Sequence, residues 1–521
     1  MHALALGATP RGVGALFVTV EVDRIRANLP SISVVGMADT AVREARERIF
    51  AAIRHLGRKA EAANIVFNLA PADERKQGAG LDLPMAVAFL AAVGDVPVEK
   101  VKGRLLVGEL SLEGRLLPVR GILPIVLAAR ERGLDEVIVP IGNGGEAGVV
   151  SGIKVTAASS LGEVVRWLRS GTPPGEDVQE ESMPPRPVSS FKAPDLSEVI
   201  GQEVARRTLE IAAAGGHHLL LMGPPGSGKS MLARRLPGIL PALEAEEALE
   251  TTCVYSVSGR VPRPAGLLSQ RPFRAPHHTI SAAALIGGGS SPQPGEVSLA
   301  HNGVLFLDEI TEFRRDVLEG LRQPLEDREV TVARARSTLT FPAGFQLVAA
   351  ANPCPCGYLG DLGRDCTCTP PMVQRYRARL SGPLLDRMDL QVAVPAVPWR
   401  DLGSGRRGEA SAVVADRVAT SRVVQAERYL GRRCRTNAEM GPSEIDRWAR
   451  PGADGRRLLE QAAQSLGLSA RAYHRILRVA RTIADLGGDR DLQTNHLAEA
   501  IGYRMLDRDP GARPKAVGGW G

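Results

Sequence analysis

HHLLLMGPPGSGKS, residues His217 to Ser230, decides the reading of this chain. Leu219 to Met222 reads as a buried strand. Gly223, Pro224, Pro225, Gly226, Ser227 and Gly228 then make a turn that closes on Lys229 and Ser230. This is a complete G-x-x-x-x-G-K-S loop. Its glycines let consecutive backbone N–H groups converge on phosphate oxygens, and the helix that follows turns its positive end to the same anion. Lys229 is placed to neutralise the β- and γ-phosphates of ATP, and Ser230 to ligate Mg2+. The plainer alternative is a chance glycine turn between strand and helix, and an acidic strand further along the chain weighs against it.

That strand is VLFLDE, Val304 to Glu309. Four apolar residues deliver two carboxylates, Asp308 for Mg2+ and Glu309 as the base that orients and deprotonates the attacking water. A third strand, Gln346 to Ala351, ends at Asn352, whose side chain can hold that water. In LLDRMD, Arg387 between two aspartates fits an arginine reaching a neighbouring subunit's nucleotide, or else a surface salt bridge. Near the C-terminus, SARAYHRILRVARTIADL puts Ile476, Ala480 and Ile483 on one helical face and Arg471, Arg475 and Arg478 on another. Arg471 is the candidate sensor of bound nucleotide, while Arg475 and Arg478 read as a solvated basic face.

With 521 residues and 44% hydrophobic content, the chain should hold about three or four domains with real cores. A net charge of +7 favours a polyanionic partner without identifying one. The longest apolar stretch, near Leu83 to Val93, is too short to span a bilayer, and no basic segment followed by an apolar one opens the chain. The expectation is a cytoplasmic protein without a membrane partner.

Residues 1–170 alternate strand-like and helix-like runs: Ala15–Val22, Ile32–Val35, a helix from Thr40 to Leu56, Ile65–Leu69, a helix from Leu83 to Val93, Leu105–Leu110, a helix from Ile122 to Arg132, Glu136–Pro140 and a helix near Leu161–Leu168. Residues 171–194, rich in Pro, Ser and acidic side chains, read as a linker. The nucleotide module occupies 195–400 and a helical lid 410–510. The fold class is therefore α/β: an N-terminal α/β domain, a P-loop core with a parallel sheet, and a C-terminal helical lid.

Four of the six cysteines, Cys354, Cys356, Cys366 and Cys368, fall in one short stretch after the Asn352 strand. The C-x-C-x9-C-x-C spacing is tighter within each pair than the usual zinc knuckle, yet four thiolates can close a tetrahedral structural Zn2+ site. Reduced, unliganded thiols on a glycine-rich loop are the alternative.

Two resemblances enter at this point. VGELSLEGRLLPVRGILPIVLAARERGLDEVIVP (Val107 to Pro140) resembles the proteolytic domain of Lon proteases, which implies that fold for residues 1–170. Its Ser–Lys dyad is missing, because Gly80 stands at the serine position and Leu123 at the lysine position; without nucleophile and base there is no acyl transfer. GPPGSGKS, FRAPHHTISAAALIGGG (Phe273 to Gly289), PGEVSLAHNGVLFLDEI (Pro294 to Ile310), AANPCPCGYLGD (Ala350 to Asp361) and YRARLSGPLLDRMDL (Tyr376 to Leu390) resemble the ComM/YifB family of magnesium-chelatase-like AAA+ ATPases nearly end to end. That resemblance implies a ring, expected to be hexameric, and a DNA-directed helicase promoting branch migration in recombination and natural transformation, with recombination proteins as further partners. In AAA+ ATPases the segment from Asp195 lies over the adenine, which makes Val199, Ile200 and Gly201 candidates for base contact. Rival readings are an ATPase subunit of a metal chelatase, an ATP-dependent protease component and an ATP-binding scaffold.

DNA contacts are expected on two basic segments. REVTVARARSTLTF (Arg328 to Phe341) alternates β-branched residues on both sides of Ala333–Ala335 and reads as a hairpin with Arg334 and Arg336 at or near its tip. In related rings such a hairpin projects into the pore. RPFRAPHHT (Arg271 to Thr279) is expected to form a second pore loop that pairs Arg274 with its imidazoles. The alternatives are a solvated hairpin and a subunit-contact loop.

Overall fold

The computed structural model describes residues 2–504 except 27–30, 59–62, 173–192, 262–265, 290–291, 335–336, 362, 381 and 399–406. Most of the expected linker, Arg336 and residues 505–510 lie outside the described residues.

The N-terminal sheet has seven strands, in the order Ser31–Val35, Ala63–Ala70, Gly14–Arg26, His2–Arg11, Arg104–Leu106, Glu136–Pro140, Lys154–Ala158. His2–Arg11 and Gly14–Arg26 form a long antiparallel hairpin turned at Gly12, whose φ of +60° suits a residue without a β-carbon. Every residue of the helix Asp82–Ala92 is buried, as a nearly continuous apolar run requires. Its one carboxylate, Asp82, is satisfied by a bidentate Arg48 at 2.7 and 2.9 Å and by the Leu110 N–H at 3.1 Å. Two strands, His2–Arg11 and Lys154–Ala158, were not expected from the sequence. The expected run Leu105–Leu110 is broken into Arg104–Leu106 and Glu109–Leu110. The break falls where Gly108 N–H leaves the sheet and donates to Gly80 O at 2.9 Å. Leu123 is fully buried and Gly80 borders Val107 and Val119, so those two positions offer apolar packing and no nucleophile.

A second sheet is parallel throughout, in the order Phe273–Arg274, Val304–Leu307, Gln346–Ala351, Leu219–Met222, Leu390–Ala393. Parallel pairing puts every strand's carboxyl end at one edge, where such sheets gather their ligands. Its inner strands are buried along almost their whole length, which is why they read as unbroken apolar runs.

Among the described residues, the helices Ser411–Arg428, Pro442–Trp448, Ala453–Leu466, Ala470–Gly487 and Thr494–Gly502 follow. They are stitched to the sheet module at the end of the helix Glu203–Gly215, whose last carbonyls lack intrahelical donors. Arg422 Nη2 donates to Ala213 O at 2.8 Å and Gln425 Nε2 to Ala214 O at 2.9 Å. One expectation fails here. Arg475 is no part of a solvated face: its side chain is only 14% exposed and pairs with the buried Asp389 at 3.0 Å. Arg478 is likewise half-buried. A carboxylate at the base of the last strand needed a cation, and the helix supplies it.

The two sheet modules meet through the helix Ala245–Ser258, which packs on Ile122–Glu131. Cys253 joins the apolar cluster of the N-terminal module, and the Ser256 hydroxyl donates to the buried Glu146. No helix among the described residues is long and apolar enough to cross a membrane.

Candidate nucleotide-binding site

Leu219–Met222 ends between Gln346–Ala351 and Leu390–Ala393, and the glycine loop leaves that end. Gly226 and Gly228 take φ of +78° and +93°, conformations that favour glycine. At Gly223 an added β-carbon would lie 2.0 Å from Val394 O, so only glycine fits against the last strand. Lys229 opens the helix and is nearly buried. Its ammonium donates to Gly223 O at 2.7 Å, Pro224 O at 2.8 Å and Asn352 Oδ1 at 3.1 Å. Burial pulls its pKa below the usual lysine value, and the charges of Asp308 and Glu309 oppose that pull.

Ser230 Oγ donates to Asp308 Oδ2 at 2.6 Å, which brings together the two groups expected to hold Mg2+. Glu309 follows at the end of Val304–Leu307 with φ of +50° and is exposed. The fit to a magnesium triphosphate rests on groups left unclaimed. Ser227 Oγ is buried with no hydrogen-bond partner among the described residues, and the Lys229 ammonium rests on three neutral oxygens. An anion threading the loop satisfies both.

Val199 is buried in the module's core and Ile200 is half-buried beside it. Gln202, in the left-handed region at φ +54°, ties this segment to the loop by donating to Ser227 O at 3.3 Å and Pro395 O at 2.6 Å. Sequence reading passed over Gln202, since a lone amide after a glycine carries no signal. It also gave the FRAPHHT segment no link to Glu309. Phe273–Arg274 pairs in parallel with Val304–Leu307, so the loop after it emerges beside Glu309. His278 Nδ1 stands 3.8 Å from Glu309 Oε2, and its ring packs edge-on to Phe313 and against His277. Arg274 is held by Glu296 at 2.6 and 2.8 Å, and this ion pair replaces the expected pairing with the imidazoles.

Arg387 pairs with Glu326 of the short helix Arg322–Asp327 and is 12% exposed. Arg471, at the start of Ala470–Gly487, is 71% exposed and reaches Asp386 Oδ2 at 4.0 Å. The basic hairpin is present as Glu329–Arg334 paired with Ser337–Pro342. Val330, Val332 and Phe341 anchor it in the core.

The four clustered cysteines converge, with one sulfur from each within 4.8 Å of the others. Backbone N–H groups, that of Tyr358 foremost, bring the Cys356 thiol down to about 6.

A parallel sheet of this strand order, carrying a phosphate loop and an Asp–Glu pair at its carboxyl edge, defines an ATPase module of the AAA+ type. Residues 195–402 match the family model described as magnesium chelatase, subunit ChlI; residues 20–143 match subunit ChlI of Mg-chelatase, and 408–504 match the magnesium chelatase subunit ChlI C-terminal model. Competence protein ComM of Haemophilus influenzae is 44% identical over 97% of this chain and 98% of its own length. YifB of Escherichia coli is 44% identical over 95% of this chain and 96% of its own. The magnesium-chelatase 38 kDa subunit of Rhodobacter capsulatus is 27% identical over 42% of this chain and 61% of its own. The chain belongs to the ComM/YifB family of magnesium-chelatase-like proteins.

Proposed function

We propose that this chain is the subunit of a homo-hexameric ring that hydrolyses ATP to drive branch migration of forked or four-way DNA, in recombination and natural transformation. The ATP part rests on one observation above the rest: the neighbours Lys229 and Ser230 already bond to the ends of two different strands, Lys229 to Asn352 and Ser230 to Asp308. Bound ATP and Mg2+ supply the γ-phosphoryl group and the charge that offsets its oxygens. Gly223 to Gly228 cradle the phosphates, with Val199 and Ile200 beside the base, Lys229 pairs with the β- and γ-oxygens, and Ser230 and Asp308 hold the metal. Glu309 takes the proton of the water whose oxygen bonds to the γ-phosphorus as the bridging bond breaks, and Asn352 holds that water in line. Arg387 serves the nucleotide of the neighbouring subunit, and Arg471 senses it from the helical lid. The four-cysteine cluster holds a structural Zn2+.

The DNA part is supported by the basic hairpin, by the net charge of +7 and by a relative named as a competence protein. With Arg274 held by Glu296, the hairpin arginines Arg334 and Arg336 remain as the grip on the phosphate backbone. A chelatase-type remodelling motor is the second reading, favoured by the partial likeness to the 38 kDa chelatase subunit. The test is conversion of a labelled four-way junction to duplex products. The motor reading expects conversion that needs ATP and Mg2+ and stops in Glu309→Gln; junctions left intact by an ATP-hydrolysing protein would favour the chelatase-type alternative.

A further inference from the structure

The stretch between Asn352 and the helix Pro370–Arg377 has two attachments to the nucleotide site. Asn352, bonded to Lys229, is followed directly by Pro353 and Cys354, so the first thiol hangs from the residue that faces the phosphate loop. The second attachment is by packing. Gly357 closes the turn with its N–H on Cys354 O at 3.0 Å, takes φ of +88°, and lies so flat on the phosphate loop that a β-carbon there would stand 2.5 Å from Pro225 Cδ and 2.8 Å from Cγ.

The sulfurs of this stretch are spaced for a metal. Cys354 and Cys356 sulfurs are 3.4 Å apart, Cys354 and Cys366 3.7 Å, and Cys356 and Cys366 3.6 Å. Zinc–sulfur bonds of about 2.3 Å at tetrahedral angles put neighbouring sulfurs at about 3.8 Å, so little movement completes the site. Backbone N–H groups of Cys356 and Cys368 point at Cys368 and Cys366 sulfurs, both at 3.4 Å, as donors that stabilise thiolates.

From this geometry we propose that the zinc-bound cysteine loop is the buttress that fixes Asn352 and Pro225, so that metal loading sets the rate of ATP hydrolysis. The proposal rests on the zinc reading. Pro225 sits on the phosphate loop and Asn352 at the water position, so a slack loop loosens both sides of the reacting phosphate while leaving the sheet intact. The effect falls on kcat.

Zinc content by plasma mass spectrometry, together with kcat and KM for ATP, is measured on the full chain purified without chelator. Wild type should carry stoichiometric zinc. Cys366→Ser with Cys368→Ser should lose it and drop kcat by about tenfold or more. Gly357→Ala should keep its zinc yet lose kcat comparably, since its β-carbon displaces Pro225. Gly360→Ala is the control: φ is +80° there too, but nothing lies within 4 Å of an added β-carbon, and kcat should hold within about twofold. Metal-free wild type would overturn the zinc reading itself. Zinc-bearing wild type with wild-type kcat in zinc-free Cys366→Ser/Cys368→Ser, or in zinc-loaded Gly357→Ala, would overturn the buttress alone. Equal losses in Gly357→Ala and Gly360→Ala would assign the effect to loop strain and overturn it as well.

Discussion

Lys229 and Asn352 face each other across the mouth of the phosphate loop, with the ammonium donating to the amide oxygen at 3.1 Å. A charge resting on neutral oxygens is free to exchange them for phosphate. Lys229→Ala should therefore weaken ATP binding by about a hundredfold, the value of a charge-assisted contact. Glu309→Gln should bind ATP normally and lose kcat by about a hundredfold or more, since only proton transfer is removed. Fluorescent-nucleotide titration and steady-state hydrolysis separate the two, and normal turnover in Glu309→Gln would displace Glu309 as base.

His278 stands 3.8 Å from Glu309, within reach to orient it. His278→Ala should lower kcat by about tenfold with KM for ATP little changed, because a misdirected base loses in-line geometry without losing substrate. His278→Gln, which keeps a polar group at that distance, should recover part of the loss. A rise in KM alone would mean that the histidine acts in binding.

Arg387 is held by Glu326 of its own chain, so service to a neighbour requires it to change partners. Arg387→Ala should cripple hydrolysis while sparing ATP binding. Mixing it with Lys229→Ala protein should restore activity, because mixed rings put an intact arginine beside an intact phosphate loop. Exchange-competent mixtures that stay inactive would show that Arg387 works within its own subunit.

His218 gives the fold a pH dependence. Burial foremost brings its pKa from 6.5 to about 4; Asp389 opposes this, while Arg475, His217 and Arg328 add to it. Its Nδ1 accepts from the Leu347 N–H at 3.0 Å, a bond that needs the neutral ring. The unfolded chain then binds the extra proton first, so stability is complete above about pH 6.5 and falls as pH drops toward about 4. His218→Asn, which keeps an acceptor for Leu347, should flatten denaturant-measured stability across that window. An unchanged slope would assign the acid sensitivity to other groups.

How much of this was legible in the sequence follows from what each signal depends on. The strands Leu219–Met222, Val304–Leu307 and Gln346–Ala351 are apolar because both faces are covered, so the chemistry at their ends could be read locally. His2–Arg11 was missed because small residues and a proline dilute its alternation, and Lys154–Ala158 because a lysine and two alanines leave only Val155 and Thr156 as strand formers. His278 beside Glu309 and Arg475 on Asp389 are products of strand order and helix docking, joining segments distant in the chain. The same holds for Gly357 on Pro225, where the sequence shows a glycine but not what it touches.

The central claim is that ATP hydrolysis is coupled to DNA, and the most direct measurement is the ATPase rate of the intact chain with Mg2+, alone and with duplex, forked and four-way DNA. Stimulation by branched DNA is predicted. Arg334→Ala with Arg336→Ala should remove the stimulation, weaken binding to all sequences alike and shrink the salt slope by about one per lost phosphate contact, with basal hydrolysis kept. A wild-type rate that is the same with every DNA and without any, from assembled protein that hydrolyses ATP, would contradict the account.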